Sequence, residues 1–204
     1  MKKIFLAVSL FFISNFVYAI PSLIIDSNGE LTGARDVDVN GNMYDVDFQD
    51  GTCASLFGGC DDAGDLALSA SDVDAATAAL FSSVFVDSLD GNFDSDPSLT
   101  MGCETPTLCS IITAGYFLAD PFDPDSMDVV FSIGSNSDEE QLDDIIAPYT
   151  TDISAGGDIN TSAFDVSVFA VWSVATSSSV PEPSILGLMF IGLAGISLRL
   201  SKNT

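Results

Sequence analysis

Between residues 35 and 48 apolar and polar side chains alternate on both sides of Asn40-Gly41. That dipeptide tolerates positive φ at both positions, so the pattern predicts a β-hairpin closed by a two-residue type I′ turn. Pairing across the turn sets Val39 opposite Asn42, Val37 opposite Tyr44 and Arg35 opposite Val46. One face is then Val37, Val39, Tyr44, Val46 and Phe48, and the other carries Asp36, Asp38, Asp45 and Asp47. The period changes over residues 71–86, where Val73, Ala76, Thr77, Leu80, Phe81 and Val84 recur at helical spacing. Ser71 is placed to cap this helix, with Asp74 three residues on, and Phe81 and Phe85 read as core.

Residues 110–119 and 127–133 read as strands separated by the loop Asp120-Pro121-Phe122-Asp123-Pro124. Residues 137–146 suit a short helix with an acidic start, ended by Pro148. Residues 164–176 read as a long strand with Phe164, Val166, Val168, Ala170, Trp172 and Val174 on one face. Its other face mixes Asp165, Ser167 and Ser173 with Phe169 and Val171, which predicts partial cover on that side as well. Strands interrupted by one or two helices predict an α+β fold, a mainly antiparallel sheet backed by the 71–86 helix.

The two ends follow different patterns. Lys2 and Lys3 precede an apolar run over residues 4–12, and Val17-Tyr18-Ala19 presents small residues where a signal peptidase cuts. Residues 1–19 therefore read as a secretory signal peptide rather than the first amphipathic helix of a domain. Residues 176–184 form a polar linker containing Pro181-Glu182-Pro183. Residues 185–198 then run without a charge, and residues 199–204 form a basic end with Arg199 and Lys202. Gly187, Gly192 and Gly195 suit a membrane helix packed through small residues, so 185–198 is expected to be a short transmembrane anchor with its basic end cytoplasmic. Residues 20–175 remain as the exported domain.

Charge sharpens this division. The 204 residues include 30 acids, 25 of them aspartate, against 5 lysines and arginines and no histidine. Residues 20–184 hold all 30 acids and one base, Arg35, for a net charge of −29. Such a surface repels nucleic acid and other polyanions and draws cations to places where carboxylates converge. Without histidine, Ser-His-Asp and Cys-His catalytic units and histidine-ligated metal sites are excluded. The chain is accordingly expected not to be an enzyme and to require no cofactor.

Two aspartate groups are candidate calcium sites. Asp90, Asn92, Asp94 and Asp96, near Asp87 and around Gly91, place oxygens two residues apart. Asp36, Asp38, Asp45 and Asp47 form a weaker candidate, because Asp36-x-Asp38-x-Asn40-Gly41 matches the first half of an EF-hand loop with Asp47 at its twelfth position. The competing expectation for both is a solvated, turn-rich surface. Four cysteines allow three connectivities; in an exported protein we expect disulfides in the local pairs Cys53 with Cys60 and Cys103 with Cys109, a four-cysteine metal site being the alternative.

Pro181-Glu182-Pro183 followed by a short hydrophobic stretch and a basic end resembles the PEP-CTERM sorting signal of Gram-negative bacteria, paired as in that family with an N-terminal signal peptide. The resemblance covers about 25 residues. It implies recognition of Pro181, Glu182 and Pro183 by exosortase, removal of the tail, transient membrane anchoring, and a role at the cell surface or in exopolysaccharide and biofilm. Signal peptidase and exosortase are the implied processing partners, and extracellular polysaccharide a candidate one. Three functions follow in order: a non-catalytic surface or matrix protein; a calcium-dependent adhesin or glycan-binding module with Trp172 or Tyr116 as a stacking platform; and a glycosidase built on a carboxylate pair.

Overall fold

The computed structural model describes residues 20–118, 127–138, 145–150 and 159–176. The expected signal peptide, the 120–124 loop, the Pro181-Glu182-Pro183 segment, the 185–198 helix and the basic end lie outside them. Seven strands form one sheet: β1 (Ser22–Ile25), β2 (Leu31–Val39), β3 (Asn42–Gln49), β4 (Leu108–Leu118), β5 (Met127–Ser137), β6 (Ile145–Thr150) and β7 (Ser167–Val174), in the order β1-β2-β3-β7-β4-β5-β6. Every neighbouring pair is antiparallel except β4 with β7, which run parallel. The α-helices among the described residues are a single turn, α1 (Cys53–Leu56), and α2 (Val73–Ser83). Among the described residues no helix is long and apolar enough to cross a membrane.

The β2–β3 hairpin forms around the expected turn, with Asn40 at φ 54° and Gly41 at φ 86°. Val39 faces Asn42 and Val37 faces Tyr44, but Val46 faces Ala34 rather than Arg35. A bulge at Arg35–Asp36, with Asp36 at φ 59°, absorbs the extra residue. Its physical reason is the side chain: the bulge seats small Ala34 in the core, fully buried, and turns the Arg35 guanidinium out to Asp45 and Asp47.

Helix α2 starts later than the sequence suggests. Its N-cap is Asp72, and Ser71 does not cap it. The Asp72 carboxylate accepts hydrogen bonds from Asn40 Nδ2 and Ser69 Oγ instead, tying the helix start to the hairpin turn. Val73, Ala76, Thr77 and Leu80 face the sheet, and Phe85 beyond the helix end stacks on Phe48. The helix lies close over β5: a Cβ at Gly134 would run into the Phe81 ring.

Residues 137–146 are not a helix at either end. β5 continues to Ser137, and Ile145 opens β6, which carries Pro148 opposite Ser132. β6 is the sheet edge, where a residue without an N–H can be accommodated, so proline here marks an edge strand and not a helix stop.

The sheet buries both faces. On the α2 side the core holds Val37, Val39, Val46, Phe48, Ile111, Val168, Ala170 and Trp172. On the other, Ile112, Ala114, Val129, Phe131 and Phe169 meet Cys53, Phe57, Cys60 and Leu66 from the 53–66 segment. β7 thus alternates between two cores, as its mixed second face suggested. Phe164, placed by the pattern on the first face, is instead 61% exposed, because β7 begins only at Ser167.

Candidate functional site

The hairpin aspartates are engaged locally. Asp36 N donates to Asp45 Oδ1 at 3.2 Å, Arg35 Nη2 lies 2.9 Å from Asp47 Oδ1 and Arg35 Nε 3.7 Å from Asp45 Oδ2. Asp38 Oδ1 accepts from Gly41 N at 2.7 Å, which closes the turn. The Asp36 backbone N–H and the Arg35 guanidinium thus offset the carboxylate charge of Asp45. The hairpin geometry also replaces the EF-hand loop that the spacing resembled.

In the second group Asp87 does the organising. Its Oδ1 accepts from Asp94 N and Ser95 N, both at 3.1 Å. Burial would raise the Asp87 carboxyl, but donation by Ser95 and Asp94 outweighs it and holds the group below the ordinary aspartate range. Asp94 is displaced upward, by burial and then by the charge of Asp87. Asp96 Oδ1 accepts from Ser98 Oγ at 2.6 Å, and Asp90 is exposed. Among the described residues no three acidic or cysteine side chains come close enough to share a metal ion. The contacts that the described residues show for both groups are those of turns and of the Arg35 pairing.

The cysteines pair locally, Cys53 with Cys60 and Cys103 with Cys109. These bonds consume all four thiols, so the four-cysteine metal site does not form. Trp172 is buried, edge-on to Tyr44, and cannot serve as a surface stacking platform. Tyr116 is half-buried against the second core.

The fold creates a different site. Where β3 ends and β2, β4 and β7 begin, four chain segments meet around a cavity of about 270 Å³. Glu30 comes from the turn before β2, Asp50 from the end of β3, Thr100 and Glu104 from the loop before β4, and Thr161, Ser162, Phe164 and Asp165 from the approach to β7. All four carboxylates are exposed, and no basic residue lines the cavity. The frame beneath is stiff. Glu104 N donates to Asp165 O at 2.8 Å, Met101 N to Leu31 O at 3.0 Å, and Thr161 exchanges hydrogen bonds with Gly51. The Cys103–Cys109 bond clamps the Glu104 loop to the start of β4. Within this wall Thr100 is 1% exposed and its Oγ1 has no hydrogen-bond partner among the described residues.

No local spacing could reveal this cleft, because Glu30 and Asp165 are brought together only by strand order. Phe164 and Asp165 entered the sequence pattern only as residues of the 164–176 strand.

Comparison with known proteins locates one further functional segment. The family described as a PEP-CTERM protein-sorting motif matches residues 179–202, covering Pro181, Glu182 and Pro183. The chain therefore carries that sorting signal, which marks it for export, transient membrane anchoring and processing by exosortase. No curated protein and no solved structure matches the chain.

Proposed function

We propose that this chain is a non-catalytic surface or extracellular-matrix protein of a Gram-negative bacterium, its disulfide-bonded acidic domain displayed outside the cell and associated with exopolysaccharide or biofilm. The observation that carries this reading is the sorting motif at residues 179–202, attached to an acidic domain. Two disulfides support an oxidising destination. The lack of histidine supports a body that binds or scaffolds rather than one that catalyses. The domain's charge supports a hydrated layer that excludes polyanions and stays soluble when crowded.

Processing tests the reading. In a host with exosortase, the chain should lose its hydrophobic tail and leave the membrane fraction, with a matching fall in intact mass. Changing Pro181, Glu182 and Pro183 together to alanine should leave the tail in place and the protein in the membrane fraction. Release of that variant at the wild-type rate, or retention of the tail by the wild-type chain, would overturn the reading.

A further inference from the structure

We propose that Asn28-Gly29, in the turn between β1 and β2, is a site of spontaneous covalent modification, deamidation through a succinimide, and that the fold withholds the same reaction from Asn40-Gly41. The sequence has two Asn-Gly steps, one in the turn at each end of β2, and both asparagines are exposed. Glycine has no side chain to shield its nitrogen, so this dipeptide leaves an asparagine amide open to attack by the next backbone nitrogen. In the reaction solvent base takes the proton from the Gly29 nitrogen, a bond forms from that nitrogen to Asn28 Cγ, and the side-chain amide leaves as ammonia. Water then opens the ring at one carbonyl or the other, giving aspartate or isoaspartate.

Hydrogen bonding separates the two steps. Asn40 Nδ2 donates to Asp72 Oδ1 at 3.1 Å, a contact with the start of α2, and Gly41 N donates to Asp38 Oδ1 at 2.7 Å. Both reacting groups are thereby held by carboxylates, and Asn40 keeps its φ of 54° in a turn closed by the β2–β3 pairing. Bringing Gly41 N onto Asn40 Cγ requires breaking these bonds and rotating the backbone between two paired strands. At Asn28 every bond is local. Its Nδ2 donates to Asp26 Oδ2 and its N to Asp26 Oδ1, both at 2.8 Å, while Gly29 N meets only a neutral acceptor, Asp26 O, at 3.2 Å. The turn closes a four-residue edge strand whose register already shifts between Ile24 and Ile25. It therefore opens without disturbing the rest of the sheet. Conversion has a structural consequence: a carboxylate in place of the Asn28 amide loses the donor to Asp26 and repels it, which loosens the turn that holds Leu23 and Ile25 against the first core.

The reaction does not depend on how the chain is sorted, and its test uses purified full-length protein in mild detergent with both disulfides intact. The protein is incubated at pH 8 and 37 °C and digested at acidic pH, and the peptide containing each Asn-Gly step is followed by mass spectrometry for exchange of an amide for an acid. Each hydrogen bond that must open first slows attack about fivefold, so with two such bonds to a carboxylate at the second step Asn28 should convert at least about tenfold faster than Asn40. In guanidinium chloride with the disulfides reduced the two rates should become similar, because the dipeptide is the same and only the fold distinguishes its two copies. Asp72 makes no capping hydrogen bond to α2, so Asp72→Ala frees the Asn40 amide and spares the helix cap. Asp38→Ala frees the Gly41 N–H. Each variant should raise conversion at Asn40 about fivefold and leave Asn28 unchanged. An unchanged Asn28 rate and a retained Trp172 unfolding transition distinguish release of the tie from loss of the fold, and the comparison of native with denatured wild type needs no variant. Native conversion of Asn40 as fast as that of Asn28, absence of conversion at Asn28, or the same ratio of rates in denaturant as in the native state overturns the proposal. So does an Asn40 rate indifferent to both variants.

Discussion

Gly134→Ala tests how the helix is seated on the sheet. Gly134 lies in β5 opposite Ile111 and Ile146, directly beneath α2. A Cβ there would strike the Phe81 ring and approach Thr77 Cγ2 at 2.9 Å. Relieving the overlap requires α2 to lift or Phe81 to leave its place beside Phe85, whose ring centroid is 5.3 Å away. Overpacking a filled core costs about 1–3 kcal/mol. Replacing glycine in a strand returns about 0.5–1 kcal/mol of backbone entropy. The net loss is then about 1–2 kcal/mol, a fall in Tm of roughly 2–8 °C for a domain of this size. Trp172 is the sole tryptophan and is buried in the same core, so its fluorescence reports the transition directly. The decisive experiment is a double-mutant cycle with Phe81→Leu. If the ring is the obstacle, Gly134→Ala should cost about 1 kcal/mol less in the Phe81→Leu background than in wild type. Equal costs in both backgrounds would refute the close approach of α2 to β5.

Two further outcomes follow from local chemistry. Asp94 is held above its ordinary pKa by burial and by Asp87, so its ionised form opposes folding at neutral pH and its neutral form does not. Asp94→Asn should therefore raise Tm at pH 7, and the advantage should vanish below the unfolded aspartate value of 3.8; an advantage that persists at pH 3 would contradict the assignment. The Cys53–Cys60 bond closes a short loop over the second core, and the double change to serine should cost about 2–3 kcal/mol on chain-entropy grounds, read as a drop in urea midpoint.

The sequence by itself determined what depends on neighbours in the chain. Asn40-Gly41 specifies its turn because only residues tolerant of positive φ fit there, and alternation on either side specifies which valines go inward. Local cysteine pairing was legible because each pair spans a loop too short to need a distant partner. The sorting segment was legible for the same reason, its signal being a contiguous run. Where local and tertiary demands differ, the pattern misled. The Arg35 register failed because core packing preferred Ala34 opposite Val46 and the arginine preferred two aspartates, a trade that only a bulge satisfies. Pro148 looked like a helix stop because an edge strand tolerates the same residue, and edge position is a property of the whole sheet. Trp172 looked available because its burial is decided by tertiary neighbours such as Tyr44 of the hairpin. The acidic cleft was invisible for a stronger reason: Glu30, Asp50, Thr100 and Asp165 lie in four segments that meet only because β7 inserts between β3 and β4 and runs parallel to β4. Residue type and local spacing carry no information about that crossover, because the energy that selects it comes from burying both faces of one sheet at once.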